Sequence, residues 1–296
     1  MNRKGIIMKR IGITVDCVCD LPEKYLEGHD IGVAFFYITT STGMFRDGYE
    51  ITSENILEYL ENGGGKSDTN PPSPKEYMTV FVSALERYDE IIHFSLSEKI
   101  DSTTYNAKVA LELMGERGKR VTVIDSENLS TGMAPMIMNA VEMRDGGSSV
   151  AEIAEASEAM KSRISSSYMT PNMDYLFRGS KSQKQIKAVC EFLGIYPVLT
   201  LNKGSITLKE FLMGMGNYEN AVLRFIRKEL KHSDIIDKRR VFITHAGCTV
   251  KLIARVREEV DKRCSFGEVI VTKASATIAS NCGPGSIGIQ FLRKEG

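Results

Sequence analysis

Hydroxyl side chains are the densest chemistry in this chain. Six of them, Ser95, Ser97, Ser102, Thr103, Thr104 and Tyr105, fall between Ile91 and Ala110 (IIHFSLSEKIDSTTYNAKVA). Ile91 to Phe94 is an apolar run with the length of a buried strand, and from Tyr105 to Met114 apolar positions recur at helical spacing. A strand that feeds a helix through such a turn aims unpaired backbone N–H groups and hydroxyls at one point. Helix N-termini carry partial positive charge and free donors, so that point suits an anion. A single hydroxyl from Ser102 or Thr103 would suffice as a helix cap. The cluster holds more hydroxyls than a cap uses.

Little else is reactive by pattern. The sequence contains no metal-ligand set, Walker loop or dinucleotide glycine fingerprint. The glycines of GPGSIG precede a strand-like run and read as a turn. His245, in THAG after an apolar run, is a candidate base, but no serine or cysteine sits in a nucleophile-elbow context. His29, His93 and His232 read as structural or exposed. Cys17 and Cys19 form a C-x-C without a second Cys/His pair at metal spacing, and they read as thiols at a strand end that hold no metal. Many hydroxyls and few suspicious titratable groups favour binding an anionic head group over acid–base chemistry.

With 296 residues the chain is long enough for two domains. Lys plus Arg is 38 and Asp plus Glu is 38, a balance that argues against nucleic acid or an anionic membrane as partner. No apolar stretch reaches bilayer length, and the basic start MNRKGIIMKR lacks a signal-peptide core. Six cysteines scattered through such a chain are expected to be free thiols, and the protein is expected in the cytoplasm.

The elements that position the hydroxyls follow from periodicity. Strands are expected at Ile11 to Val15, Gly32 to Thr39, Ile91 to Phe94 and Val121 to Ile124. They alternate with helices from Pro22, Ser53 to Glu61, Lys75 to Tyr88, Tyr105 to Met114 and Thr131 to Met143. Asp20 before Leu21-Pro22 reads as an N-cap. Lys66 to Pro74 (KSDTNPPSP) reads as a proline-stiffened loop. Alternating strand and helix predicts a parallel sheet wrapped by helices, with ligands at the carboxyl ends of the strands, where Asp16, Ser95 and Asp125 stand. After an amphipathic helix, Val150 to Ile164, the order changes. A helix from Gln183 to Leu193 is followed by a hairpin, Tyr196 to Leu201 and Ser205 to Leu208, turning at Asn202-Lys203-Gly204. Helix Tyr218 to Leu230, strand Val241 to Thr244, helix Thr249 to Lys262, strand Glu268 to Thr272 and a glycine-proline turn with a closing strand over Ala279 to Phe291 complete the chain. The expected architecture is α/β with two domains. Residues 1–163 form a parallel sheet wrapped by helices, and residues 164–296 a mixed or antiparallel sheet with flanking helices.

Taken together the segments resemble the DegV family of bacterial fatty-acid-binding proteins, from Ile11 to Phe291. Ile13 to Pro22 resembles TDSxxDLP, and Thr69 to Pro74 (TNPPSP) resembles TSQPSP. Ser97 to Ala107 (SEKIDSTTYNA) resembles SSxLSGTYxSA, with Asp101 as an extra residue and Thr103 in place of glycine. Asp125-Ser126 resembles the DS before the next helix. Asp174 to Ser182 (DYLFRGSKS) resembles YLxxGGRIS, Ile195 to Leu199 (IYPVL) resembles IKPIL, and Asn281 to Gly285 (NCGPG) resembles HxGPG.

The resemblance implies a non-catalytic carrier with no cofactor. One long-chain fatty acid would be buried in the second domain, its carboxylate held at the domain junction by Thr69, Ser102, Thr103 and Asn281. A separate fatty-acid kinase would be the partner, with Lys181, Arg178, Ser97 and Asp16 facing it or supporting the site; nucleic acid and integral membrane contact are not expected. Asn281 replaces the family histidine, Lys181 the GGR arginine and Tyr196 the IKP lysine. Asn keeps hydrogen bonding without charge, and Lys keeps charge without the bidentate fork. The alternative is an enzyme acting on a small phosphorylated or carboxylated substrate at the Ser102 turn with His245 as base. A regulatory module whose pocket holds nothing is the third reading.

Overall fold

The structure is a computed structural model that describes residues 9–172, 193–215 and 217–295. Its N-terminal part is built on a four-stranded sheet in which Gly32–Ala34, Ile11–Asp16, Glu90–Ser95 and Val121–Asp125 lie side by side. All neighbours are parallel. Strand Ile11–Asp16 is buried at every position, which is why it reads as a continuous apolar run without alternation. Ile13, Val15, Ile92 and Phe94 pack on one side against Met133, the N-cap of helix Ala134–Asp145, against Ile137 and Val141 of that helix, and against Ile153 of helix Val150–Met160. On the other side Ile91 and Val121 meet Tyr77 and Phe81 of helix Pro74–Leu85 and Ala107 and Ala110 of helix Thr103–Met114. The strands therefore all end at one edge, and Asp16, Ser95 and Asp125 are the last residues of theirs.

The C-terminal part is a six-stranded mixed sheet in the order Ser205–Met213, Ile195–Asn202, Ile164–Met169, Ser286–Arg293, Ile236–Ala246, Glu268–Lys273. Only the last pair is parallel. Helices Tyr218–Glu229 and Val250–Arg263 cover one face, where Val222, Phe225, Val256 and Val260 pack on Val198, Ile243 and Ile289. The opposite face turns toward the N-terminal sheet. There Phe242 joins the core beneath helix Ala134–Asp145, and Thr131 donates to Gln290 Oε1 at 2.6 Å.

Between the two lies an antiparallel three-stranded sheet of Gly43–Arg46, Tyr37–Thr40 and Asp68–Asn70. Its residue Ile38, with Ile56 and Leu57 of helix Ser53–Glu61, packs against Ala246, Ala276 and Ala279. Three expectations change here. The single strand expected over Gly32 to Thr39 is two strands in different sheets. The loop expected through Lys66 to Pro74 contains a strand, because proline removes donors only from Pro71 onward and leaves Asp68 to Asn70 free to pair. The turn expected at Ala279 lies inside a short helix, Ala276–Cys282.

Candidate functional site

Thr69 and Asn281 come from opposite ends of the chain and meet at the edge of the three-stranded sheet. Thr69 stands opposite Ile38 in the ladder. Asn281 is in the last turn of helix Ala276–Cys282, and its Nδ2 donates to Thr277 O at 2.8 Å and to Thr69 Oγ1 at 3.4 Å. Their spacing is held by Asp47, which directly follows strand Gly43–Arg46. Its buried carboxylate accepts the N–H groups of Ala276 and Thr277, both at 2.8 Å. One carboxylate thus joins the sheet that carries Thr69 to the helix that carries Asn281, and it satisfies donors that a helix start leaves free.

Asp20 acts beside it. It does not cap the following helix, whose N-cap is Pro22. Its backbone is left-handed (φ 52°), and its carboxylate accepts Ser275 N at 2.8 Å and the Ser130 hydroxyl. Burial pushes both carboxyls up, Asp20 to about 7.

Ser102 is exposed at the N-cap of helix Thr103–Met114 and, among the described residues, caps nothing with its hydroxyl. Asn106, one turn along, donates to Pro72 O at 2.9 Å and ties this helix to the segment that follows Thr69. Thr103 corrects the sequence reading. It is fully buried and its hydroxyl donates to Leu96 O at 3.2 Å, as does that of Thr104, so its proton is already used. Ser95 also points inward, 2.6 Å from the Thr104 hydroxyl. One donor of the helix start is taken by Asp101, whose Oδ1 accepts Ser102 N and lies 3.4 Å from Ser102 Oγ.

Ser97 and Asp16 are both fully buried and support the site from behind. Ser97 Oγ donates to Gly204 O at 2.8 Å, so the turn after strand Glu90–Ser95 rests on the tip of the C-terminal hairpin. That tip is tight, with positive φ at Lys203 and Gly204, and a Cβ on Gly204 would stand 2.5 Å from Ser97 Oγ. Asp16 accepts from Tyr77 OH at 2.6 Å and Leu96 N at 2.8 Å, with His93 Nε2 at 3.5 Å. It locks the strand end that leads into the hydroxyl turn. Lys181 and Arg178 lie outside the described residues, as does nearly all of the helix expected from Gln183 to Leu193.

An apolar seam runs from these polar groups into the C-terminal sheet. Ile100, two positions before Ser102, and Ile278, three before Asn281, pack with Leu96, Leu129, Tyr168 and Leu201. The same sheet face continues along the hairpin, where Leu201 pairs with Ile206, Leu199 with Leu208 and Pro197 with Phe211. Ile206, Leu208 and Phe211 are 41 to 53% exposed.

Other candidates do not join this site. His245 is half-buried, its Nδ1 without a hydrogen-bond partner among the described residues, and burial together with Lys273 lowers its affinity for protons. Cys17 Sγ accepts Phe36 N at 3.2 Å, and burial pushes Cys19 up to about 12. Among the described residues no group of three or more His, Cys, Asp or Glu is placed to hold a metal ion. Nor is any helix among them long and apolar enough to cross a membrane. Asp20, Asp47 and Asp101 escape sequence reasoning because their partners are distant backbone N–H groups or an immediate neighbour, and neither leaves a periodic signal.

Comparison with known proteins agrees with this architecture. A protein from Caldanaerobacter subterraneus subsp. tengcongensis described as DegV domain-containing is 25% identical over 288 residues, which cover 97% of this chain and all of the relative. A DegV family protein from Thermus thermophilus, described for its fatty acid binding, superposes with a TM-score of 0.82 at 26% identity, covering 96% of this chain and 100% of that one. The fold is also that of the Streptococcus pneumoniae Fatty Acid Kinase (Fak) B3 protein loaded with linoleic acid, at TM-score 0.78 and 17% identity over 96% of this chain and 99% of that one. The model of the DegV family, whose description calls its members uncharacterised, matches residues 10–294, and the chain belongs to the DegV family.

Proposed function

We propose that this protein binds one long-chain fatty acid, with the head at Thr69, Ser102 and Asn281 and the tail along the hairpin face of the C-terminal sheet. The observation that carries the reading is the continuity of the two surfaces. Neutral polar groups from distant segments converge at Thr69 and Asn281, and the apolar seam through Ile100, Ile278 and Leu201 begins beside them and ends on exposed Leu208 and Phe211. The fatty acid binding described for the Thermus thermophilus relative supports it. In this reading residues 1–163 supply the head-group hydroxyls and residues 164–296 hold the tail.

The tail sets affinity. Each buried CH₂ contributes about 0.8 kcal/mol, so a long chain gives on the order of 10 kcal/mol before the costs of ordering. Head-group hydrogen bonds add about 1–3 kcal/mol each and set orientation. The protein would act in the cytoplasm as a carrier that presents the acid to a separate fatty-acid kinase, a role supported by the fold shared with the Streptococcus pneumoniae Fak B3 protein. Ser97 and Asp16 then shape the presenting surface from within. Titration with a fluorescent long-chain acid tests the binding step. Saturation at one ligand per chain is the expected result, and a signal that rises without saturating would reject it.

A further inference from the structure

Resting on that reading, we infer that Asp101 is the specificity-determining residue of the head-group site, admitting a long-chain carboxylic acid with its proton on and sharing that proton between the two carboxyl groups. The geometry is direct. A helix start offers a bound carboxylate its free N–H groups, but at helix Thr103–Met114 the Ser102 N–H is already donated to Asp101 Oδ1. The same oxygen lies 3.4 Å from the Ser102 hydroxyl, the group proposed to touch the ligand. An ionised head bonded to the Ser102 hydroxyl would therefore face a second negative charge across that one group.

Among the described residues nothing relieves the repulsion. Facing Asp101 are Asp16, at the end of strand Ile11–Asp16, and the Tyr77 phenol from helix Pro74–Leu85. In its own turn Glu98 is paired to Lys108 at 3.8 Å, and Lys99 Nζ is directed to the Lys203 carbonyl. Thr69 and Asn281 are neutral. Burial and Asp16 both push the Asp101 carboxyl up, against the pull of the Ser102 and Thr103 N–H groups. Two carboxyls that share a site hold one proton between them, because both cannot ionise at such a distance. A fatty acid ionised in water thus takes one proton from solvent as it binds, which ends in an O–H···O bond to Asp101. No other bond is made or broken.

Calorimetric titration of the full chain with dodecanoate near neutral pH, in Tris and in phosphate, reads this proton, since the two buffers differ in ionisation heat. Wild type should take up about one proton per ligand and lose affinity about tenfold per pH unit above neutrality. Asp101→Asn should take up none, bind more tightly and show a flat pH profile, with Asp101→Ser as the second variant should the amide disturb folding. Binding by wild type without proton uptake, or the same uptake by wild type and variants, would overturn the role of Asp101 and leave the fatty-acid reading standing. Absence of binding by wild type and by both variants would overturn the fatty-acid reading itself.

Discussion

The carboxylate of Asp47 accepts the N–H of Thr277 at 2.8 Å, a contact between residues 230 positions apart that starts helix Ala276–Cys282. Together with the Ala276 bond it makes Asp47 the joint between the strand that positions Thr69 and the helix that positions Asn281. Removing it leaves buried N–H groups unpaired, at about 1–3 kcal/mol each. Asp47→Ala should lower unfolding stability by several kcal/mol in chemical denaturation, while Asp47→Asn, which keeps an acceptor oxygen, should lose less. Equal stability of Asp47→Ala and wild type would contradict the joint.

Asp20 makes stability depend on pH in an unusual direction. Its folded carboxyl is raised to about 7 from an ordinary 3.8, so the native state binds this proton more tightly than the unfolded chain. Its contribution is fully present below about pH 4, is lost as pH rises through the window to about 7, and is constant above that. Between about pH 5 and 7 wild type should lose up to roughly 2–3 kcal/mol relative to Asp20→Asn. Denaturation curves of the two proteins at several pH values check it. Parallel profiles would show that Asp20 is ionised throughout.

The parallel sheet was legible because its buried strands are plain apolar runs. The hairpin was legible because Lys203-Gly204 supplies the two positive φ angles such a turn requires. What stayed hidden depends on long-range satisfaction of polar groups. ATIASNC is too short to announce a helix, and it forms one where Asp20 and Asp47 meet the N–H groups at its start. In the hydroxyl turn, spacing located the strand-to-helix junction but could not say which hydroxyls face out. Thr103 and Thr104 turn inward to the Leu96 carbonyl, which leaves Ser102 exposed.

Gly204 is required where it stands. An alanine there meets both a left-handed backbone and Ser97 Oγ at 2.5 Å. Gly204→Ala should destabilise the protein by about 1–3 kcal/mol and open the contact between the Ser97 turn and the hairpin. Faster amide exchange at Lys99, whose N–H reaches Ser97 Oγ at 3.4 Å, would report the opening. Unchanged exchange with unchanged stability would contradict it.

Thr69→Ala and Ser102→Ala should each weaken binding of a long-chain acid by about 1–3 kcal/mol while leaving stoichiometry at one. Thr103→Val should leave affinity nearly unchanged and cost stability, because its hydroxyl serves the Leu96 carbonyl. Displacement titrations of the three variants separate the roles. Loss of affinity confined to the Thr103 variant would place the head group elsewhere.

Solvent extraction of the purified protein, followed by mass measurement of what is released, tests whether this chain holds a long-chain fatty acid. The expected product is a carboxylic acid of about fourteen to twenty carbons, close to one per chain, as an apolar site of ordinary size admits. An extract without stoichiometric lipid, from protein that also fails to take up added fatty acid, would contradict it.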